Sequence, residues 1–157
     1  MCKMDEFNLV KKCVQSAMEQ VYTNDKSLIA RDTNERSIVF RFGLYLCEIL
    51  KSTAFNNYNV DVEYNRNGQN PKRTPRHPRN GVVPDLIIHK RESNESNLLV
   101  LEFKTEWNSN QSEDEKKIKE LTSITGEYRF KYGATILIRY NKPDYTWYGE
   151  MLRDNKL

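Results

Sequence analysis

The sequence lacks an apolar run of the roughly 18 residues that a membrane helix needs, so no span is expected. Its start, MCKMDEF, has none of the apolar stretch of a secretion signal, which points to the cytoplasm. Cysteine is scarce and scattered: Cys2, Cys13 and Cys47 are odd in number, far apart and form no C-x-x-C pair. Neither a disulfide framework nor a zinc cluster is indicated, and each cysteine reads as a small apolar residue or a free thiol. A strong charge of one sign is missing too. The formal net charge is +3, which permits a nucleic-acid partner without demanding one. No internal repeat and no linker-like stretch divides the chain.

What is there suits one globular domain with a wet surface. The 157 residues fit a single core, with 38% apolar and 30% charged residues. Phe7, Val10, Val14, Met18 and Val21 recur at three- and four-residue steps, which predicts a helix over about 5–22. A polar link follows. A second helix should start at Asp32 or Thr33, either of which can cap it, and run to about Thr53. Val60, Val62 and Tyr64 alternate with polar residues, as a half-buried strand does. Residues 65–83 hold three prolines and two glycines, so they should be a long loop. Ser112 and Glu115 have capping-box spacing and open a helix expected to end near Lys131–Gly133. Residues 134–140, ATILIRY, read as an internal strand, and the tail reads as ending in a short helix. Trp107, Trp147 and Tyr148 are expected to pack on the core rather than to form an interface. The order is helix, helix, strand, strand, strand, helix, strand: an α/β domain with a mixed four-stranded sheet flanked by helices.

The stretch PDLIIHKRESNESNLLVLEFK, residues 84–104, carries the chemistry. It is two apolar runs around a polar spacer whose centre lies between Ser93 and Asn94. Antiparallel pairing about that centre matches residues whose numbers sum to 187, which sets Asp85 opposite Glu102. Directly opposed side chains share a face, with Cβ atoms about 4.5–5.5 Å apart. Lys104, two residues on, shares that face, and Phe103 points to the other. Two opposed carboxylates repel, so something positive must offset them. Lys104 could, and so could a divalent cation, because Mg²⁺ is often held by one or two carboxylates plus waters and phosphates. A metal so held acidifies bound water and stabilises charge on a phosphate under attack.

Pro84-Asp85, a strand-sized gap, then Glu102-Phe103-Lys104 resembles the motif of the PD-(D/E)xK nuclease superfamily. The order of elements over about 33–140 is similar to that family's restriction-endonuclease-like core. The resemblance implies that Asp85, Glu102 and the backbone carbonyl of Phe103 ligate Mg²⁺ or Mn²⁺. It implies that Lys104 orients or activates the attacking water or stabilises the pentavalent phosphate. Many members carry a glutamate on the helix before the first strand, a place Glu35 occupies. Glu35 also stands at capping-box spacing from Asp32, and Glu63 alternates outward near the same end.

Arg66, Lys72, Arg73, Arg76 and Arg79 fall in the 65–83 loop with His77 and no acid between them. Lys72, Arg73, Arg76 and Arg79 are therefore candidate phosphate contacts, sequence-independent and salt-sensitive. By contrast SEDEKKIKE at 112–120 mixes both signs and reads as an exposed helical face. The expectation is a Mg-dependent DNA endonuclease, with two alternatives. One is an RNA-cleaving enzyme with the same site; the other is a non-catalytic nucleic-acid-binding subunit of that fold. A homodimer would suit the cutting of two strands.

Overall fold

Apolar side chains at helical spacing build the first layer. In a computed structural model that describes residues 3–108 and 112–149, helix α1 (Lys3–Asn24) buries Phe7, Val10, Cys13, Val14, Ala17, Met18 and Val21. A short α2 (Lys26–Ala30) fills the polar link. Helix α3 (Glu35–Leu50) lies along α1 and buries Ile38, Val39, Phe42, Leu46 and Leu50. Its cap is Asn34, whose side chain accepts from the Arg36 amide at 2.9 Å, not Asp32 or Thr33. Those two close α2 instead. Asp32 has φ 50°, and the Thr33 amide and hydroxyl both donate to the Leu28 carbonyl. A side chain committed to finishing one helix cannot start the next.

The strands are β1 (Asn59–Val62), β2 (Leu86–His89), β3 (Leu99–Thr105), β4 (Tyr132–Ile138) and β5 (Asp144–Gly149), paired in that order in one sheet. Only β3 and β4 are parallel, joined by the crossover helix α4 (Ser112–Leu121). The sheet thus has five strands, not four. The fifth is the start of the tail, which pairs with β4 from Tyr132↔Gly149 to Leu137↔Asp144; the tail's end, where the short helix is expected, is not among the described residues. Tyr145, Thr146, Trp147 and Tyr148 favour a pleated, half-buried surface. Helix α4 stops at Leu121, ten residues before the expected end. Ile124 is exposed, and Tyr128 is buried but off the helix, in the turn-rich segment that leads to β4.

Helices α1 and α3 cover one face of the sheet and α4 part of the other. Alternation along β3 sorts the two cores. Leu99, Leu101 and Phe103 join the α1/α3 core, with Phe103 5.0 Å from Phe42 between ring centroids. Val100 joins Ile87, Leu121, Tyr128 and Phe130 under α4. Trp147 packs edge-on to Phe7 and Trp107 lies against the same core, as expected. Among the described residues no helix is long and apolar enough to cross a membrane.

Candidate active site

The ladder between β2 and β3 pairs Leu86↔Leu101, Ile87↔Val100 and Ile88↔Leu99, each summing to 187 as the spacer's centre predicts. One more step brings Asp85 opposite Glu102. Asp85 sits just before β2, and its Oδ2 accepts from the Phe103 amide at 2.7 Å. Its own carbonyl accepts from the Glu63 amide. The aspartate is thus clamped from both sides at the point where the ladder ends. A proline at 84 suits that place, since it has no N–H to leave unpaired.

Glu102 is 1% exposed. Its Oε2 accepts from the Lys117 ammonium at 2.7 Å, and its Oε1 is buried with no hydrogen-bond partner. Lys117 also reaches the Val83 carbonyl at 3.3 Å. Lys104 lies 3.1 Å from Asp114 Oδ2 and 3.9 Å from Glu35 Oε1. Asp85, Glu102, Lys104 and Glu35 therefore come together at the end of β3. The capping alternative for Glu35 falls away, because Asn34 caps α3 and Asp32 accepts from the Tyr140 hydroxyl. Glu63 does not join them; it pairs with Arg36 at 2.8 Å on the outer surface.

Two members of the cluster were not foreseen. Asp114 and Lys117 come from α4, in the stretch expected to be an exposed charged face. Asp114 is 7% exposed, and Lys117 is more than half covered. The signal was spacing. Positions 114, 117, 118 and 121 lie on one helical stripe, and Ile118 and Leu121 are fully buried. Extending their stripe one turn back reaches Asp114 and Lys117.

Four carboxyls (Glu35, Asp85, Glu102, Asp114) face two ammoniums (Lys104, Lys117). If all ionise, two negative charges stay uncompensated in a half-buried place. The protonation shifts follow from this. Burial, then the charge of Asp85, pushes Glu102 well above the ordinary carboxylate range against the pull of Lys117. Burial also raises Asp85, although the Phe103 amide and Lys117 oppose it. Burial lifts Glu35 to about 7, with Lys104 opposing and Asp85 and Asp114 assisting. Burial pulls the Lys104 pKa down, but Asp114 and Glu35 outweigh it and hold that pKa above the usual value.

A divalent cation is the other way to supply the missing charge. Among the described residues no three acidic, histidine or cysteine side chains form a metal cage. The donors fit a leaner arrangement. Asp85 and Glu102 offer two carboxylates, and the partnerless Glu102 Oε1 is an acceptor in need of a ligand. Two such carboxylates could hold a Mg²⁺ ion completed by water and substrate oxygens. Phe103 is tied to the cluster through its amide, by the bond to Asp85.

The loop residues divide. Arg73, Arg76 and Arg79 are exposed, and Arg76 lies 3.7 Å from Glu113 at the start of α4. Lys72 is not a surface contact. It is 2% exposed, its ammonium bonds the Arg66 carbonyl, and it lies 5.0 and 5.4 Å from the Tyr64 and Tyr128 ring centroids. It pins the loop from inside. Its amide bonds Asn65 and its carbonyl accepts from Val82. Gly81 has φ 76° and would place a Cβ 2.6 Å from that carbonyl, so the pin needs glycine there. Comparison with protein-family models, with curated proteins and with solved structures yields no match.

Proposed function

We propose that the protein is a metal-dependent phosphodiesterase of the PD-(D/E)xK kind, with a restriction-endonuclease-like core, cleaving nucleic acid and DNA before RNA. The observation that carries this reading is the clamped Asp85 opposite Glu102, with Lys104 beside them and four carboxyls gathered against two ammoniums. Asp85 and Glu102 would hold the Mg²⁺ or Mn²⁺ ion, with the Phe103 carbonyl as a further ligand. The ion, when bound, supplies positive charge for the phosphate and acidifies a water.

The protein's own groups do the rest. Lys104 is steadied by Asp114 and Glu35, so its ammonium can hold the attacking water or the charge that grows on the phosphate oxygens. Glu35, with a pKa of about 7, is poised to take a proton from that water near neutral pH. Water attack at phosphorus forms one P–O bond and breaks another, releasing a phosphate end and a hydroxyl end. Lys117 balances Glu102. Exposed Arg73, Arg76 and Arg79 would hold the backbone on either side.

A cleavage assay tests this directly. Supercoiled plasmid, single-stranded DNA and structured RNA are incubated with Mg²⁺, Mn²⁺ or EDTA, using wild type and Lys104→Ala. Cleavage lost both in EDTA and in the variant is expected. Cleavage that survives Lys104→Ala would sink the assignment of the site. Salt-sensitive binding with no cleavage of any substrate would replace the enzyme by a non-catalytic binding subunit.

A further inference from the structure

Beside the acidic cluster the sheet opens into a groove that the catalytic reading leaves unused. Its volume is about 330 Å³. The floor is the part of the α4-side face of β4 and β5 that the helix leaves uncovered. Thr135 lies opposite Thr146 and Leu137 opposite Asp144 in the ladder, and Tyr148 follows on the same face. One wall is Glu102 and Lys104 of β3 with Asp114 and Glu115 of α4; Arg139 stands at the end of β4. The groove therefore begins at the residues assigned to phosphate chemistry and runs away from them.

The lining says what it would take. Four carboxyls line it against one lysine and one arginine, and Arg139 is already held by Asp144 at 2.5 Å. A second phosphate would be repelled. What fits is a neutral, flat group rich in N–H donors. The Thr146 hydroxyl supplies an acceptor, Glu115 and Asp144 supply carboxylates that also pair with Lys119 and Arg139, and the half-buried Tyr148 ring, whose hydroxyl bonds Thr135, supplies a stacking face. The volume stands at the small end of the range of about 300–1,000 Å³ for ligand pockets, enough for one base with its sugar and too small for a base pair in its stack.

We propose that this groove binds the unpaired base of the nucleotide next to the scissile phosphate, so that the protein acts on single-stranded or locally opened nucleic acid. The inference deepens the nuclease reading and rests on it for the position of the phosphate. Stacking on Tyr148 gives sequence-tolerant affinity, and the carboxylates favour bases that present donors, guanine and cytosine above thymine or uracil. A base inside a duplex reaches such a groove only by leaving its stack.

The test separates base binding from chemistry. Binding of a fluorescent single-stranded 12-mer is measured in EDTA, where no metal-dependent cleavage occurs, alongside its duplex, its RNA counterpart and a copy with one abasic position. Tighter binding of the intact single strand than of the duplex or the abasic copy is expected. Tyr148→Ala should weaken it by about 5- to 150-fold, while Tyr148→Phe keeps it. Thr146→Trp, which fills the groove from an exposed position on the outermost strand, should weaken it likewise, and it serves if Tyr148→Ala does not fold. The DNA and RNA arms tell which sugar is accepted. Duplex bound as tightly as single strand, or indifference to Tyr148→Ala and Thr146→Trp, overturns the groove even if the protein cleaves. Loss of cleavage in wild type with base-dependent binding intact overturns the nuclease reading and leaves the groove.

Discussion

Strand β2 carries a polar cluster at each end, on the same face of the sheet, and the two are built on opposite principles. At one end His89 is 2% exposed and its Nε2 lies 2.8 Å from Asp61 Oδ2, while Arg91 Nε donates to the same oxygen at 2.9 Å. Burial pushes Asp61 up, but the Arg91 and His89 bonds outweigh it and hold the carboxyl below its usual range. Burial lowers His89, so its ring stays neutral beside one acid and one guanidinium. That end is balanced. Four residues away, Asp85 joins three other carboxyls and two ammoniums, with a buried oxygen unpaired. Satisfied buried charge specifies structure, whereas an excess of carboxyls with an unpaired buried oxygen is what the proposed cation would balance.

Removing a carboxylate should therefore have opposite effects at the two ends. Asp85→Asn keeps an oxygen for the Phe103 amide and removes one of the repelling charges. Cleavage should fall by a factor on the order of 10³, while the melting temperature stays level or rises. A drop in both would show that Asp85 is structural. Asp61→Ala leaves a buried histidine without its partner and should cost about 2–3 kcal/mol, read as a fall of roughly 4–12 °C in Tm for a chain of this size. Its cleavage rate per folded molecule should not change. Thermal melts and single-turnover rates on both variants decide the comparison.

The site end of β2 was legible in the sequence because two local signals agreed. The polar spacer fixed the register through its centre, and the alternation of LIIH and LVLEFK fixed the faces. The α4 contribution was hidden because Asp114 and Lys117 are charged, and charge alone was taken to mean exposure. Their place one turn before Ile118 and Leu121 was the better guide. Strand β5 was hidden for another reason. Its Tyr145 and Trp147 alternate with Thr146 and Tyr148, and a period of two over six residues is easily lost when Met151 and Leu152 extend it toward a helical pattern. Lys72 was misplaced because composition gives the charge of a loop but not which side chain turns inward; Tyr64 and Tyr128, the latter distant in sequence, form the place it turns into.

The imbalance also fixes a pH dependence. Glu35, Asp85 and Glu102 all have folded-state pKa values above their ordinary ones. Below the ordinary carboxylate range each is protonated both folded and unfolded, and the shift has no effect on stability. As pH rises, the unfolded chain gives up its protons first, so the folded state loses stability through the window that for Glu35 runs from 4.5 to about 7. On the proposed reading, a divalent cation would replace those protons. Mg²⁺ should therefore raise Tm more at pH 8 than at pH 5.5, approaching the ~2.7 kcal/mol expected at a hundredfold excess over Kd. Asp85→Asn should remove most of the gain. Equal stabilisation at both pH values would separate the metal from this cluster. Cleavage should rise through pH 7 as Glu35 ionises, and Glu35→Gln should flatten that rise.

The smallest effects lie in the basic loop, where the same contrast recurs between a buried, committed cation and exposed ones. Lys72 is buried, and burial lowers its pKa to about 8, with Glu127 and Asp61 pulling the other way. Arg73, Arg76 and Arg79 face solvent. Each exposed arginine that touches a phosphate releases a counterion, so replacing it with alanine should weaken binding about equally for all sequences. It should also reduce the slope of log K against log salt by about 0.9. Lys72→Met keeps the packing between Tyr64 and Tyr128 and removes the burden of a desolvated charge. It should leave the slope unchanged and shift stability by no more than about 1 kcal/mol. Salt titrations of the four single variants on one oligonucleotide make the distinction. A reduced slope for Lys72→Met would mean that the loop opens on binding and that the inner cation reaches the phosphate after all.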